Sequence, residues 1–372
     1  MRRIYIHQFT AWPNFTWKQK ELADALMKFH QLQGRLIGRM ENLGFKLQSE
    51  AKLAILTTEV LKSSEIEGEV LNAEQVRSSI AKKLGLDIGG LIPVDRNVDG
   101  VVEMMLNATQ KFNDALTDER LFGWHSLLFP SGRSGMNKIV VGAWRNNAKD
   151  DPMQVVSGAM GKEKVHFVAP DAKLLKKEMK NFLTWFNKEK NTDPVIKAAV
   201  AHLWFVTVHP FDDGNGRLAR AIADMQLARA DGTAQRFYSM SAQIRKQRNE
   251  YYNLLEKTQK GSLDITPWLQ WFLNCLNKAL AASNETLENV FRKAKFWEQH
   301  ATTQLNTRQV LMLNKMLNGF DGKLNTSKWA KVAKVSADTA LRDIQDLTTK
   351  NILVKEAAGG RSTNYLLADL RL

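Results

Sequence analysis

The chain has a single cysteine in 372 residues, so no internal disulfide can form and nothing in the fold requires an oxidising compartment. Cys275 sits in PWLQWFLNCLNKAL (267–280) among bulky apolar residues, the setting of a small buried hydrophobe. Long apolar runs are also missing. MRRIYIHQF opens on two arginines but no stretch of signal length follows, and none approaches the length needed to span a bilayer, so the expectation is a cytoplasmic protein without membrane contact. No Cys/His/Asp cluster has zinc spacing, and there is no internal repeat or low-complexity segment. A GxxxxGK[ST] loop is absent, as are the HRD and DFG elements of kinases, which disfavours both of those phosphate chemistries. Acidic residues are short relative to basic ones, 39 against 53, giving a net charge of +14. Such a field attracts polyanions: nucleotides, nucleic acid or an acidic partner.

Hydrophobic residues make up 44% and charged residues 25%, ordinary values for a globular chain with length for two or three domains. Apolar positions Leu22, Leu26, Phe29, Leu32 and Leu36 predict a helix from about Lys18 to Leu47. Leu53, Leu56 and Val60 predict a second from Glu50 to about Glu67, closed at Gly68, and Asn72 to Gln75 reads as a capping box for a third. Asp193-Pro194 is an N-cap and first-turn pair for PVIKAAVAHLWFVTV, and LARAIADMQLARADG (218–232) closes at Gly232. KEKVHFVAP (162–170) reads as a surface strand or hairpin. From Thr307 the pattern shifts to short helices and a strand pair around Gly359-Gly360, as in a winged helix-turn-helix. The expected division is a helical module at 1–98, a helical core at 99–283, a linker at 284–306 and the winged module at 307–372. Residues 292–372 hold fourteen Lys/Arg against seven Asp/Glu, half of the net charge.

Residues 209–217 read HPFDDGNGR and join two predicted helices. If the second helix starts near Gly216, the amides of Gly214, Asn215 and Gly216 converge at its N-terminus, where unpaired donors and the helix dipole favour an anion. Arg217 and Arg220 are three apart on one helical face, and their forks match phosphate oxygens. Asp213 is a hard oxygen ligand suited to Mg²⁺ beside a polyphosphate. His209, with an ordinary pKa of about 6.5, can deprotonate an incoming hydroxyl. The chemistry suggested is phosphoryl or nucleotidyl transfer to an alcohol.

HPFDDGNGRLAR resembles the Fic-family signature HxFxxGNGRxxR at every defined position. The resemblance implies a mainly α, Fic-type helical core with a small β-hairpin flap, and a protein adenylyltransferase that moves AMP from ATP, with Mg²⁺, to a Ser, Thr or Tyr hydroxyl of a target protein. It implies His209 as base, Asp213 as metal ligand, Asn215 with Gly214 and Gly216 as anion hole, Arg217 on the ATP phosphates, and Phe211 packing the loop. Val165, His166, Phe167 and Val168 would form the flap, whose edge pairs with a target segment. SAQIRKQRNEYYNLLEKTQ (241–259) is similar to the helix bordering the adenine, with Tyr251 or Tyr252 as its wall. SSEIEG (63–68) resembles the family's inhibitory motif [S/T]xxxE[G/N]: Ser63 and Glu67 share a face, and Glu67 would hold Arg220 in the space of the γ-phosphate. Some relatives use that glutamate to remove AMP; others transfer UMP, phosphate or phosphocholine. A homodimer is common among them.

The rival reading is a DNA-binding transcriptional regulator whose Fic-like core senses a ligand. The C-terminal module would contact DNA through residues 326–365, with Ser336 to Asp346 as recognition helix and Arg361 on the wing, or serve protein docking. SADTALRDIQDL carries three aspartates and one arginine, which is poor for phosphate contact.

Overall fold

The computed structural model describes residues 5–41, 44–86, 90–158, 161–317, 320, 322–356 and 363–368, with the main chain alone at 45 and 46. The fold is mainly α, as the periodicity predicts. Two compact units are present, Met1–Asn284 and Glu285–Leu372, so residues 1–98 and 99–283 share one unit.

In the first unit, α1 (Gln19–Glu41) and α2 (Phe45–Ile66) replace the helix expected to reach Leu47 and the one expected from Glu50. Gly44 takes an extended conformation as N-cap of α2. α3 (Ala73–Lys83) begins at Asn72, whose side chain accepts from the amides of Glu74 and Gln75. The reciprocal half of the expected capping box does not form. Gln75 instead exchanges two hydrogen bonds with Asp95, the N-cap of α4 (Arg96–Gln110), a tertiary partner outside the local pattern.

α5 (Asp118–Leu128) leads into two antiparallel pairs, β1 (Arg133–Ser134) with β2 (Asn137–Lys138) and β3 (Gln154–Ser157) with β4 (Lys164–Val168). Then follow α6 (Leu175–Lys188), α7 (Pro194–Val208), α8 (Asn215–Asp231), α9 (Met240–Lys246), α10 (Arg248–Gln259) and α11 (Thr266–Gln299). α7 is buried from Val195 to Val208, as expected of a helix that is apolar all round. Asp193 caps it, accepting from the amides of Val195 and Ile196. α8 packs along α7, and α4 and α5 cover α8. Every fully buried Leu, Ile, Val or Phe of this core contributes about 1.5–3 kcal/mol, so the loop between α7 and α8 is anchored at both ends. The N-terminal segment is stapled to the same core by aromatic edges: Trp12 and Phe15 meet Trp204 at 6.1 and 5.9 Å between ring centroids.

In the second unit α12 (Thr307–Leu317), α13 (Thr326–Ala333) and α14 (Ala337–Thr349) precede an antiparallel pair, β5 (Leu353–Lys355) and β6 (Tyr365–Leu367). Trp329, Ile344, Leu347 and Tyr365 build its core. Within the segment read as a linker, 284–306, α11 continues to Gln299, and Phe296 and Trp297 pack into this core because their side chains are too apolar to be left in solvent. Asp343 is paired with Arg308 at 2.8 Å and Asp346 with Lys350 at 2.6 Å. Gly359, Gly360 and Arg361 lie outside the described residues. Among the described residues no helix is long and apolar enough to cross a membrane.

Candidate active site

His209 leaves α7 in the left-handed conformation, φ 50° and ψ 59°, as its C-cap. A residue with a Cβ held there costs on the order of 1–2 kcal/mol. Its Nδ1 donates to the Val206 carbonyl at 3.3 Å, which fixes the tautomer and leaves Nε2 as an acceptor unbonded to any described residue. Burial lowers the pKa of His209 to about 4, the Val206 bond opposing it and the nearby Arg145 charge reinforcing it. The ordinary value near 6.5 is that of an open loop, whereas here the residue is half-buried. The imidazole is neutral at pH 7. By ¹⁵N NMR it is expected to remain neutral at pH 6; titration near 6.5 would contradict the geometry. The unfolded chain takes up this proton below its pKa of about 6.5 and the folded one refuses it until about 4. This group therefore lowers stability progressively as pH falls from 6.5 towards 4.

The loop behind His209 is pinned from inside. Phe211 is fully buried and stacks on His125 at 4.2 Å. Asn215 folds its amide back on the loop, donating to the Phe211 carbonyl at 2.8 Å and accepting from its N–H at 3.0 Å. The Asn215 side chain thus shapes the loop, and only its main chain faces the helix end. His125, lowered to about 4 by burial, is neutral; Nε2 donates to the Asp213 carbonyl and Nδ1 accepts from Gly142 N–H, both at 3.2 Å. Asp212 accepts from Val140 N–H at 2.8 Å. Asp213 accepts from Gly214 N–H at 2.5 Å and from the Ser134 hydroxyl.

Gly214, at φ 78° and packed on Phe129, turns the chain into α8 and offers no side chain to cap it. The first-turn amides of a 17-residue helix are therefore left for an outside anion. A carboxylate sits there. A Cβ on Gly216 would collide with the carboxylate of Glu67, which bonds Arg220 Nη1 at 2.8 Å through one oxygen and accepts from the Tyr252 hydroxyl at 3.0 Å through the other. Arg220 is 2% exposed and is also bound by the Ser63 hydroxyl and carbonyl, both at 2.9 Å. Burial opposes the charge on Glu67, but Arg220, Tyr252 and Arg217 together hold its carboxyl below the usual range. α2 is fastened at this end by Arg248, which donates to the Ile66 carbonyl at 2.6 Å, a cation on a helix C-terminus.

Arg217 pairs with Glu69 at 2.6 Å, lies over the Phe129 ring and keeps its buried Nε without a partner. Two carboxylates two residues apart thus pair with Arg217 and Arg220. Of the two tyrosines read as a wall, Tyr252 bonds the Glu67 carboxylate, while Tyr251 lies deeper beside Arg220. Tyr251 is 1% exposed and bonded to His202 at 2.9 Å, because its position on α10 faces Trp268 and Trp271 in the core.

β4 places Val165, His166, Phe167 and Val168 in an antiparallel pair with β3. Phe167 is buried against Tyr5, and His166 bridges Ser157 at 2.6 Å and Glu256 at 2.5 Å. Sequence reasoning missed Glu69, Ser134, His125 and Arg145. Glu69 alone had a local signal, an acid next to the inhibitory motif. Among the described residues no group of three His, Cys, Asp or Glu could hold a metal. A hard cation at Asp213 would therefore draw its remaining oxygens from bound phosphate and water, which suits Mg²⁺.

Residues 115–227 match the Fic/DOC family and residues 5–86 match a domain of unknown function, DUF4172. Similarity extends to a protein adenylyltransferase Fic of Drosophila yakuba, 28% identical over 261 residues, covering 69% of this chain and 45% of that protein. One from Drosophila grimshawi is 36% identical over 104 residues, 27% of this chain and 20% of the other. The chain spans about half the length of the curated relatives it matches across the longer region. Among solved structures, a Fic family protein from Desulfovibrio desulfuricans G20 shares the fold at a TM-score of 0.56 and 20% identity, covering 95% of this chain and 98% of that one. A Fic domain containing signaling protein from Bacteroides thetaiotaomicron does so at 0.50 and 20%, covering 72% and 97%.

Proposed function

We propose that this chain, which carries a Fic/DOC domain, is an autoinhibited protein adenylyltransferase. The observation that carries the reading is the Glu67 carboxylate seated over Gly216 at the N-terminus of α8, on Arg220. That seat has the chemistry of a terminal phosphate. With Glu67 withdrawn, the α8 amides, Arg217 and Arg220 bind the triphosphate of ATP. Mg²⁺ held by Asp213 would neutralise phosphate charge during transfer. A target Ser, Thr or Tyr hydroxyl, presented by a segment paired to β4, gives its proton to His209 Nε2 as its oxygen attacks the α-phosphorus. The bond to the β-phosphate oxygen breaks and pyrophosphate leaves. Relatives named protein adenylyltransferases support the reaction class.

The experiment is transfer by the Glu67→Gly variant from ATP labelled at the α- or the γ-phosphate, with Mg²⁺ and a cell extract. Label on protein from the α-phosphate only is expected; label from the γ-phosphate would replace adenylyl by phosphoryl transfer, and none from either would defeat the proposal. Glu69 adds a second expectation. Adding Glu69→Ala to Glu67→Gly frees Arg217 and should lower KM for ATP by up to about fivefold, the scale of a part-exposed ion pair. An unchanged KM would show that Glu69 does not compete with nucleotide.

A further inference from the structure

Arg145 is 2% exposed, yet among the described residues no carboxylate lies within ion-pair distance of it. The other deeply buried arginines, Arg217, Arg220 and Arg236, each face one. Its partners are instead main-chain carbonyls. Nε donates to His209 O at 2.7 Å, Nη2 to Pro170 O at 2.6 Å and to Val208 O at 3.5 Å, while Nη1 is anchored on Asn147 Oδ1 at 2.6 Å. Its own N–H donates to Pro210 O at 2.9 Å. The guanidinium therefore caps the negative end of α7, where helical carbonyls lack partners. It grips both sides of the left-handed His209, and with the same fork it holds Pro170, two residues past the end of β4. One rigid plane spans the base and the root of the flap.

We propose that Arg145 is a positioning residue of the transfer reaction, its fork setting the orientation of the His209 backbone and the distance from His209 to the β4 edge that presents the target. This rests on the adenylyl-transfer reading for the roles of His209 and β4. A lysine ammonium keeps the charge but cannot hold carbonyls on two segments in one plane. Misplacement of a base by about 1 Å costs on the order of a hundredfold in rate.

The test compares Arg145→Lys and Arg145→Gln in the Glu67→Gly background. Both are expected to lower kcat tenfold to a hundredfold and leave KM for ATP within twofold, since α8, Arg217 and Arg220 are untouched. The charges facing His209 are Arg145, Asp213 and Glu67. In NMR titrations of the unmutated chain and its Arg145 variants, Arg145→Gln should raise the pKa of His209 and Arg145→Lys should leave it in place. Asn147→Ala, which removes the anchor on Nη1 together with the Asn147 bonds to the Ala148 and Asp151 carbonyls, should reduce kcat several-fold and covers the case in which Arg145 variants do not fold. A parent-like kcat in Arg145→Lys or Asn147→Ala, a loss of kcat matched by an equal loss of ATP affinity, or a His209 titration unmoved by Arg145→Gln would overturn the proposal. The titration needs no turnover, so a Glu67→Gly parent without transfer would count against the adenylyl-transfer reading while the His209 shift still decides for or against Arg145.

Discussion

Replacing Glu67 with Gly is expected to raise adenylyl transfer about thirtyfold. The estimate follows from the state of the pair. Arg220 is buried and the Glu67 side chain retains 30% of its exposure, so the interaction lies between a surface ion pair and a fully buried one. Roughly 2 kcal/mol is a reasonable middle value, and at 1.4 kcal/mol per decade it corresponds to the thirtyfold shift between closed and competent states. Arg220 is not left stranded in the variant, because nucleotide phosphate takes the place of the carboxylate. Label incorporated per minute, compared at equal protein and ATP, measures it; equal rates in parent and variant would remove the inhibitory role of Glu67.

The second large effect belongs to His209. In the Glu67→Gly background, His209→Ala should lower kcat by about 10²–10⁴, the usual contribution of a general base. ATP affinity should be nearly unchanged, because the ring is hydrogen-bonded to the Val206 carbonyl and not to Arg217, Arg220 or the α8 amides. The neutral imidazole, with Nδ1 tied to Val206, is poised to receive a proton at Nε2. Its low pKa makes it a weak base in the free protein, and bound phosphate would raise that pKa. A His209→Ala variant with parent kcat, or one that loses ATP binding in step with kcat, would assign the residue a different task.

How much of this could be read beforehand depended on whether the cause was local. Gly214, Gly216 and the Arg217/Arg220 spacing prescribe a turn into a helix N-terminus, and that is how the chain runs. The four-residue step from Ser63 to Glu67 sets both on one face, and both reach Arg220. Asp193 caps α7 for the same local reason. What escaped depends on distant partners. Gln75 looked like half of a capping box but met Asp95. Tyr251 and Tyr252 are adjacent and equivalent in pattern, and only packing decides which one is buried. Arg145 lies 64 residues from the carbonyl it holds, and no spacing rule links them. The helical course of 284–299 was hidden because Phe296 and Trp297 are too few to announce a periodic face, and they declare themselves only against the core of the second unit.

The central claim is that Glu67 occupies the seat of a terminal phosphate, and calorimetric titration of parent and Glu67→Gly with ATP and with AMP addresses it directly. The account predicts that ATP affinity rises about thirtyfold in the variant while AMP, which carries no terminal phosphate to compete, changes less than twofold. Parallel changes for ATP and AMP, or no change for either, would contradict it.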